Sequence, residues 1–176
     1  MSDHKVMLAL GSNLGNRLDI LKRAVARLAG AGIHIEAKSR VWETKPWGVT
    51  DQPLFLNMCA AVRTELEPLE LLCLLKKTEA ELGRSAGMRW GPREIDIDII
   101  FFDSLSLKDP KLTVPHPRMH ERGFVLKPLM EIAPEMKRAS RSCTMNCPLP
   151  RGTAWCGYRK YDAFQTGLRR SPRGSE

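Results

Sequence analysis

The stretch RWGPREIDIDIIFFD (residues 89–103) ends in an apolar run that carries two aspartates. Successive side chains of a β-strand point to opposite faces, so a strand over 94–103 has one apolar and one acidic face. Such alternation is typical of antiparallel sheets that are buried on one side. The apolar face holds Ile95, Ile97 and Ile99, and the acidic face holds Asp96 and Asp98.

The rest of the chain adds three strand patterns and two long helix patterns. Strands are predicted over 5–11, 33–44 and 54–66, and helices over 16–32 and 68–83. With the strand over 94–103, the order is strand, helix, strand, strand, helix, strand. This order predicts an α+β fold, a ferredoxin-like α/β sandwich with an antiparallel sheet and helices on one face. A short helix is also expected over 125–134.

Charge divides the chain of 176 residues into two unequal parts. The net charge is +8, of which residues 1–136 hold +1 and residues 137–176 hold +7. We predict one domain over 1–136, followed by an atypical basic tail over 137–176 that is largely disordered, because the tail lacks any apolar period. The tail could bind an acidic partner, although a solvated appendage is the preferred interpretation.

Three features of the sequence predict a cytoplasmic location. No apolar run approaches the roughly 20 residues of a membrane span. The first residues lack the basic and apolar pattern of a signal peptide. The cysteines number five, and an odd set that partly falls in buried patterns does not indicate a disulfide framework.

The acidic pair on the strand predicts a magnesium site. Alternate residues of a strand lie about 7 Å apart, so the carboxylates of Asp96 and Asp98 repel each other. Mg²⁺ removes that repulsion and often takes only one or two protein carboxylates, with phosphate oxygens completing its shell. Arg84, Arg89 and Arg93 in the loop just upstream add the cations that a polyphosphate needs. The competing interpretation is a pair of solvated residues on a half-exposed strand.

Several motifs together carry a resemblance to a known family, over about residues 5–136. Besides RWGPREIDIDII, they are ALGSNLGNR (9–17), DQPLFLN (51–57), LTVPHPRM (112–119) and RGF (122–124). The set resembles the 6-hydroxymethyl-7,8-dihydropterin pyrophosphokinases of folate biosynthesis. The resemblance implies transfer of the diphosphate of ATP to 6-hydroxymethyl-7,8-dihydropterin, which yields AMP and the pterin diphosphate. It also implies two Mg²⁺ ions, small-molecule partners only, neither nucleic acid nor membrane, and a monomer.

The resemblance also assigns roles by position. The residues that it places at the chemistry are Arg84, Arg93, Asp96 and Asp98, the last two as metal ligands. The residues that it places on ATP and its phosphates are Glu79, Trp90, His116 and Arg122. The residues that it places around the pterin are Thr44, Trp47, Phe55, Asn57 and Phe124. It leaves the general base unassigned.

Two other functions are compatible with parts of the pattern. A ferredoxin-like sheet with a basic tail could bind single-stranded nucleic acid, although the nearly neutral domain does not favour this. Another Asp-x-Asp metal enzyme, such as a nucleotidyltransferase, would share the ions but would not need Phe55, Asn57 and Phe124. The chain departs from the commonest family pattern at Lys76, Trp47 and Pro117, and the resemblance stops near residue 136.

Overall fold

An antiparallel sheet forms the centre of the computed structural model, which describes residues 3–85, 91–134 and 159–161. The elements, in chain order, are β1 (His4–Ser12), α1 (Arg17–Gly30), β2 (His34–Lys38), β3 (Val41–Thr44), β4 (Phe55–Thr64), α2 (Pro68–Glu81), β5 (Asp96–Phe102), β6 (Leu107–Lys108), β7 (Thr113–Val114), α3 (Gly123–Ile132) and β8 (Arg159–Tyr161). The main sheet has the order β5-β1-β4-β3-β8, and β2 also pairs with β4. The predicted α+β, ferredoxin-like class is confirmed.

Helices α1 and α2 cover one face of the sheet, as predicted. Their apolar stripes pack on Val6, Leu8 and Leu10 of β1 and on the isoleucines that β5 points to the same side. The sequence positions these helices locally. The Asn16 side chain accepts a hydrogen bond from the backbone N–H of Asp19 at 3.3 Å, which caps the start of α1.

The third helix lies on the opposite face of the sheet, which the sequence left uncovered. Val125 and Leu129 of α3 are buried against Cys59 and Ala61 of β4, in a second and smaller core. This face is apolar in its middle, so leaving it open would expose contiguous apolar surface. Helix α3 covers that part, and within the described ranges no helix covers the remainder of the face, at the end where β1 finishes.

The single strand predicted over 33–44 is two strands. The break falls at Ser39, whose side-chain oxygen accepts a hydrogen bond from the backbone N–H of Cys59 at 2.9 Å. The Ser39 backbone N–H in turn donates to the Cys59 carbonyl oxygen at 2.9 Å. The hydroxyl of the buried Ser39 therefore takes the place of a backbone acceptor in the strand pairing. Beyond it, β3 pairs with β4 from Trp42 to Thr44.

Most of the predicted tail over 137–176 lies outside the described residues. Within it the structure describes β8, whose backbone pairs antiparallel with β3, with Tyr161 opposite Val41 and Arg159 opposite Glu43. The proposed domain boundary and the state of the tail stay predictions. In the described ranges, none of the helices combines the length and the apolar character that crossing a bilayer requires.

Candidate active site

A cleft opens on the face of the sheet that carries α3, beyond the start of that helix. It encloses about 720 Å³, including the space that is open to solvent. Strands β1, β3, β4 and β5 form its floor, and the loop over 45–54 and the first turn of α3 form its sides. Because β5 points its carboxylates to this face, they lie at the cleft rather than on an uninvolved surface.

One half of the cleft is built around a buried amide. Asn57 is only 6% exposed, and its side-chain N–H donates to the Thr44 hydroxyl at 2.8 Å, which fixes the plane of the amide. Gly11 of β1 lies opposite Asn57 on β4. A β-carbon on Gly11 would stand 2.7 Å from the Asn57 side-chain oxygen, so a glycine at this position is what leaves the amide its room.

Aromatic side chains surround the same half of the cleft. Phe55 shares the strand face of Asn57, Phe124 comes from the first turn of α3, and Trp47 comes from the loop over 45–54. Flat apolar walls beside a fixed amide can hold a flat heterocycle, since the walls stack on its faces and the amide pairs with its polar edge.

The other half is a charge cluster of three arginines and two aspartates. Arg84 and Arg93 donate to the two oxygens of Asp96, at 2.8 and 3.0 Å. Arg122 donates to Asp98 at 3.2 Å. Burial, and then the nearby charge of Asp96, raise the pKa of Asp98 above its ordinary value. Every cation of this cluster is held by a carboxylate, so an anionic ligand would find guanidinium groups already gathered at its site.

Glu79 is the buried support of this cluster. The side chain is 1% exposed, and one oxygen accepts a hydrogen bond from the Ile97 backbone N–H at 2.7 Å. The other oxygen accepts from Arg84, and the Lys76 ammonium lies 3.0 Å from the first. Burial alone would lower the pKa of Arg84, but the charges of Asp96 and Glu79 raise it above its ordinary value. Glu79 therefore orients Arg84 and ties α2 to β5.

His116 borders the charge cluster. Its Nδ1 accepts a hydrogen bond from the Arg118 backbone N–H at 3.2 Å, and its Nε2 lies 3.5 Å from the Arg122 guanidinium. Burial, together with the charge of Arg122, lowers the pKa of His116 below its ordinary value although Asp98 opposes the shift. The neutral imidazole is therefore the favoured form at neutral pH.

Asn13 links the two halves, and the sequence reasoning did not assign it a role. Its side-chain oxygen accepts from the Arg93 backbone N–H at 2.8 Å. Its N–H groups donate to the Gln52 side chain at 3.0 Å and to the Pro53 carbonyl oxygen at 3.2 Å. The motif over 9–17 contained the signal, because an asparagine directly after a strand is suited to bridging loops.

The structure brings the predicted site residues together. Those that line the cleft are Thr44, Trp47, Phe55, Asn57, Arg93, Asp96, Asp98, Arg122 and Phe124. Arg84, Glu79 and His116 lie directly behind them and contact Asp96, Arg84 and Arg122, respectively. Trp90 lies outside the described residues. The roles assigned to all of these side chains stay predictions.

The available metal ligands suit magnesium better than a metal whose ligands must all come from the protein. Among the residues that the structure describes, no group of three or more histidines, cysteines, aspartates and glutamates could hold a metal ion. Asp96 and Asp98 alone would supply hard oxygen ligands, and phosphate and water oxygens would have to complete the shell. Magnesium accepts that arrangement, whereas a structural zinc site does not.

Comparisons with known proteins agree with this geometry. The family model of 7,8-dihydro-6-hydroxymethylpterin-pyrophosphokinase (HPPK) matches residues 7–134. A 2-amino-4-hydroxy-6-hydroxymethyldihydropteridine pyrophosphokinase of Bacillus subtilis is 46% identical over 136 residues, which cover 77% of this chain and 81% of that protein. The mitochondrial folate synthesis bifunctional protein of Pisum sativum is 47% identical over 130 residues, 74% of this chain.

The relatives differ greatly in length. The region that matches this chain covers 25% of the length of the Pisum sativum protein. A solved structure of a Plasmodium falciparum HPPK-DHPS variant with SDX-DHP has a TM-score of 0.62 at 18% identity, over 76% of this chain and 42% of that one. That likeness shows the fold. The family match over 7–134 and the Bacillus subtilis relative place the chain in a family: it belongs to the 7,8-dihydro-6-hydroxymethylpterin-pyrophosphokinases.

Proposed function

We propose that this chain transfers the terminal diphosphate of ATP to the hydroxymethyl oxygen of 6-hydroxymethyl-7,8-dihydropterin, a step of folate biosynthesis. The hydroxymethyl oxygen forms a bond to the β-phosphorus, the bond from that phosphorus to the bridging oxygen of AMP breaks, and one proton leaves the hydroxyl group. The observation that carries the proposal is the cleft itself, in which an amide-and-aromatic pocket opens directly onto the charge cluster.

The amide half suits the pterin. A pterin is a flat ring with donors and acceptors along one edge, so it needs stacking on both faces and a polar group at the edge. Phe55 and Phe124 supply the stacking surfaces, and Asn57, held by Thr44, supplies the fixed amide. A fixed amide binds more tightly than a freely rotating one, because less side-chain entropy is lost on binding.

The charge cluster suits the triphosphate. Phosphoryl transfer depends on alignment and on neutralising charge more than on a covalent intermediate. Arg84 and Arg93 would compensate the charge that builds on the transferred group and on AMP. Arg122 adds a third guanidinium, and its Nε is buried without a hydrogen-bond partner in the described residues, a donor left over by the protein's own contacts.

Asp96 and Asp98 would hold the magnesium that this half requires, and two ions are part of the proposal. When bound, Mg²⁺ would neutralise phosphate oxygens and remove the repulsion between the two carboxylates. The arginines that now occupy those carboxylate oxygens would then be released to the phosphates. The protein's own part is to keep both sets of groups on one rigid strand and its neighbouring loop.

The test is a coupled measurement of AMP. The purified chain is incubated with ATP, Mg²⁺ and 6-hydroxymethyl-7,8-dihydropterin, and AMP is followed with and without the pterin. We expect AMP to appear only when both substrates and Mg²⁺ are present, in equal amount to the pterin diphosphate. AMP released without pterin, or none from a folded sample, would contradict the proposal. The monomeric state and the cytoplasmic location are separate predictions, which this measurement does not address.

A further inference from the structure

A stack of side chains lies beside the cleft, and two of its members, Trp47 and Arg122, line it. The guanidinium carbon of Arg118 lies 4.5 Å from the centre of the Trp47 ring, and that of Arg122 lies 5.8 Å from it. Trp47 belongs to the loop over 45–54, whereas both arginines belong to the segment just before α3. The stack therefore joins two segments that have no strand pairing between them.

We propose that Arg118 is a positioning residue for the pterin half of the cleft, acting through Trp47. The inference rests on the proposed function, since it concerns how the same cleft holds its flat substrate. Arg118 does not line the cleft, whereas Trp47 does. By stacking on the outer side of the indole, Arg118 holds that ring, and with it the loop over 45–54, against the side of the cleft that Phe124 forms.

The contacts of Arg118 show why it can serve as a fixed support. Its Nε donates to Glu121 at 2.9 Å, and its backbone N–H donates to His116 at 3.2 Å. The guanidinium is thus held by Glu121, and the Arg118 backbone is held by His116, both within the turn that precedes α3. Stacking of an arginine on an indole is among the stronger cation–π contacts. At a partly exposed site it favours the stacked arrangement of the two side chains by about fivefold in the equilibrium constant.

The effect should be confined to one substrate. Trp47 lines the aromatic half, and the Arg118 guanidinium makes no described contact with Asp96 or Asp98. Arg122 is the member of the stack that also reaches the charge cluster, through Asp98. Removing Arg118 leaves that contact in place, so the nucleotide half should keep its affinity while the loop over 45–54 loosens.

The experiment compares Arg118→Gln, Arg118→Lys and Trp47→Leu, with Arg23→Gln at an exposed position of α1 as the matched control. Binding of the pterin and of a non-hydrolysable ATP analogue is measured by calorimetry, together with kcat and KM. We expect Arg118→Gln to weaken pterin binding about fivefold, with kcat and nucleotide affinity within about twofold of the parent. Arg118→Lys should restore most of the loss, because the ammonium keeps the cation–π contact. Arg23→Gln should behave as the parent, since its ion pair with Asp19 is exposed and neither residue lines the cleft.

Two further readouts separate positioning from mere stability. Acrylamide quenching of tryptophan fluorescence should increase in Arg118→Gln, without any substrate, and this difference should vanish in a Trp47→Phe background. The double variant of Arg118→Gln and Trp47→Leu should bind pterin no more weakly than Trp47→Leu alone.

The outcomes distinguish this inference from the function on which it rests. A parent chain that binds no pterin would overturn both. The role of Arg118 alone would be overturned if the parent binds pterin and forms AMP but Arg118→Gln binds pterin as tightly as the parent. It would also be overturned if the losses of pterin affinity in the double variant add. If Arg118→Gln did not fold, as judged by circular dichroism, Arg118→Met would replace it in the binding and quenching comparisons, and pterin affinity and quenching equal to those of the parent would overturn the role of Arg118.

Discussion

At the scale of single residues, the cleft places two side chains of like charge next to each other in the free protein. Asp96 and Asp98 sit close together on one strand face, and Asp98 is partly buried with a raised pKa. Carboxylates with a perturbed pKa cluster at functional sites, which favours a ligand-binding role for this pair. The alternation in β5 was sufficient to predict their common face, but the arginines that contact them come from loops whose paths no periodicity indicates.

Replacing Asp98 by asparagine should therefore abolish turnover without unfolding the protein. We expect AMP formation to fall by at least about a hundredfold, because the neutral amide is a poor ligand for magnesium and lacks the charge that aligns the phosphates. The melting temperature should stay equal or rise, since the repulsion with Asp96 disappears. Glu65→Gln, at an exposed position between β4 and α2, is the control and should leave both quantities unchanged. A melted Asp98→Asn variant would instead indicate a structural role.

Replacing Gly11 by alanine should weaken pterin binding selectively. The new β-carbon would stand 2.7 Å from the Asn57 oxygen, so the amide must move out of the plane that Thr44 fixes. We expect roughly a tenfold loss of pterin affinity by calorimetry, about the effect of one displaced hydrogen bond, with nucleotide affinity retained. Gly30→Ala is the control, because nothing lies within 4 Å of a β-carbon there. Equal losses for both ligands would contradict the assignment of Asn57.

At the scale of elements, helix α3 is attached to the break between β2 and β3 through one carboxylate. Glu131 accepts hydrogen bonds from the backbone N–H of Arg40 at 2.9 Å and from the Trp42 indole at 3.2 Å. It also accepts from the Arg40 guanidinium at 2.9 Å. The sequence predicted one strand over 33–44 because its alternation is nearly continuous. The break depends on Ser39 and Glu131, which are 92 residues apart in the chain and could not be paired by pattern alone.

Glu131→Ala should consequently destabilise the protein by about 1–3 kcal/mol, since the indole and a backbone N–H lose their acceptor. Urea unfolding measures the change. Glu81→Ala removes an exposed partner of Arg27 and serves as the control, with an expected loss below about 1 kcal/mol. Similar losses in the two variants would mean that Glu131 acts only as a surface charge.

The start of β1 and the end of β5 are joined by an ion pair that responds to pH. His4 Nδ1 lies 2.7 Å from Asp103, and this hydrogen bond raises the pKa of His4 above its ordinary value of 6.5. The stabilisation is thus complete below pH 6.5 and is lost as the pH rises through the higher pKa of the folded state. The free energy of unfolding of the parent should exceed that of His4→Gln by more at pH 6 than at about pH 8.5. A difference independent of pH would exclude the charged pair.

At the scale of the whole molecule, the two hydrophobic cores formed by the described residues run from residue 6 to residue 133. The boundary of the folded unit at residue 136 stays a prediction. Periodicity and turn residues predicted the sheet, α1 and α2, because they are local signals, whereas most residues of the site were assigned by the family resemblance. They did not predict that the chain adds β8 to the edge of β3, since three residues without a period carry no such signal.

A chain that ends at residue 136 tests that boundary. We expect it to fold and to keep turnover within about twofold, with a melting temperature lower by a few degrees, about the effect of losing 1 kcal/mol in a domain of this size. The loss comes from the strand pairs between β8 and β3. An exposed edge strand also promotes association, so the apparent molecular mass measured by light scattering should rise with protein concentration. If the shorter chain is unfolded, residues beyond 136 belong to the domain.

The position of α3 has a consequence for how inhibitors that imitate the pterin would lose potency. The first turn of α3 supplies Phe124 to the cleft, while Val125 and Leu129 rest on Cys59 and Ala61 in the second core. A larger side chain at either strand position would lift the helix and shift the ring of Phe124. Resistance can therefore arise at buried sites that no drug touches, and a screen restricted to ligand-contacting codons would overlook it.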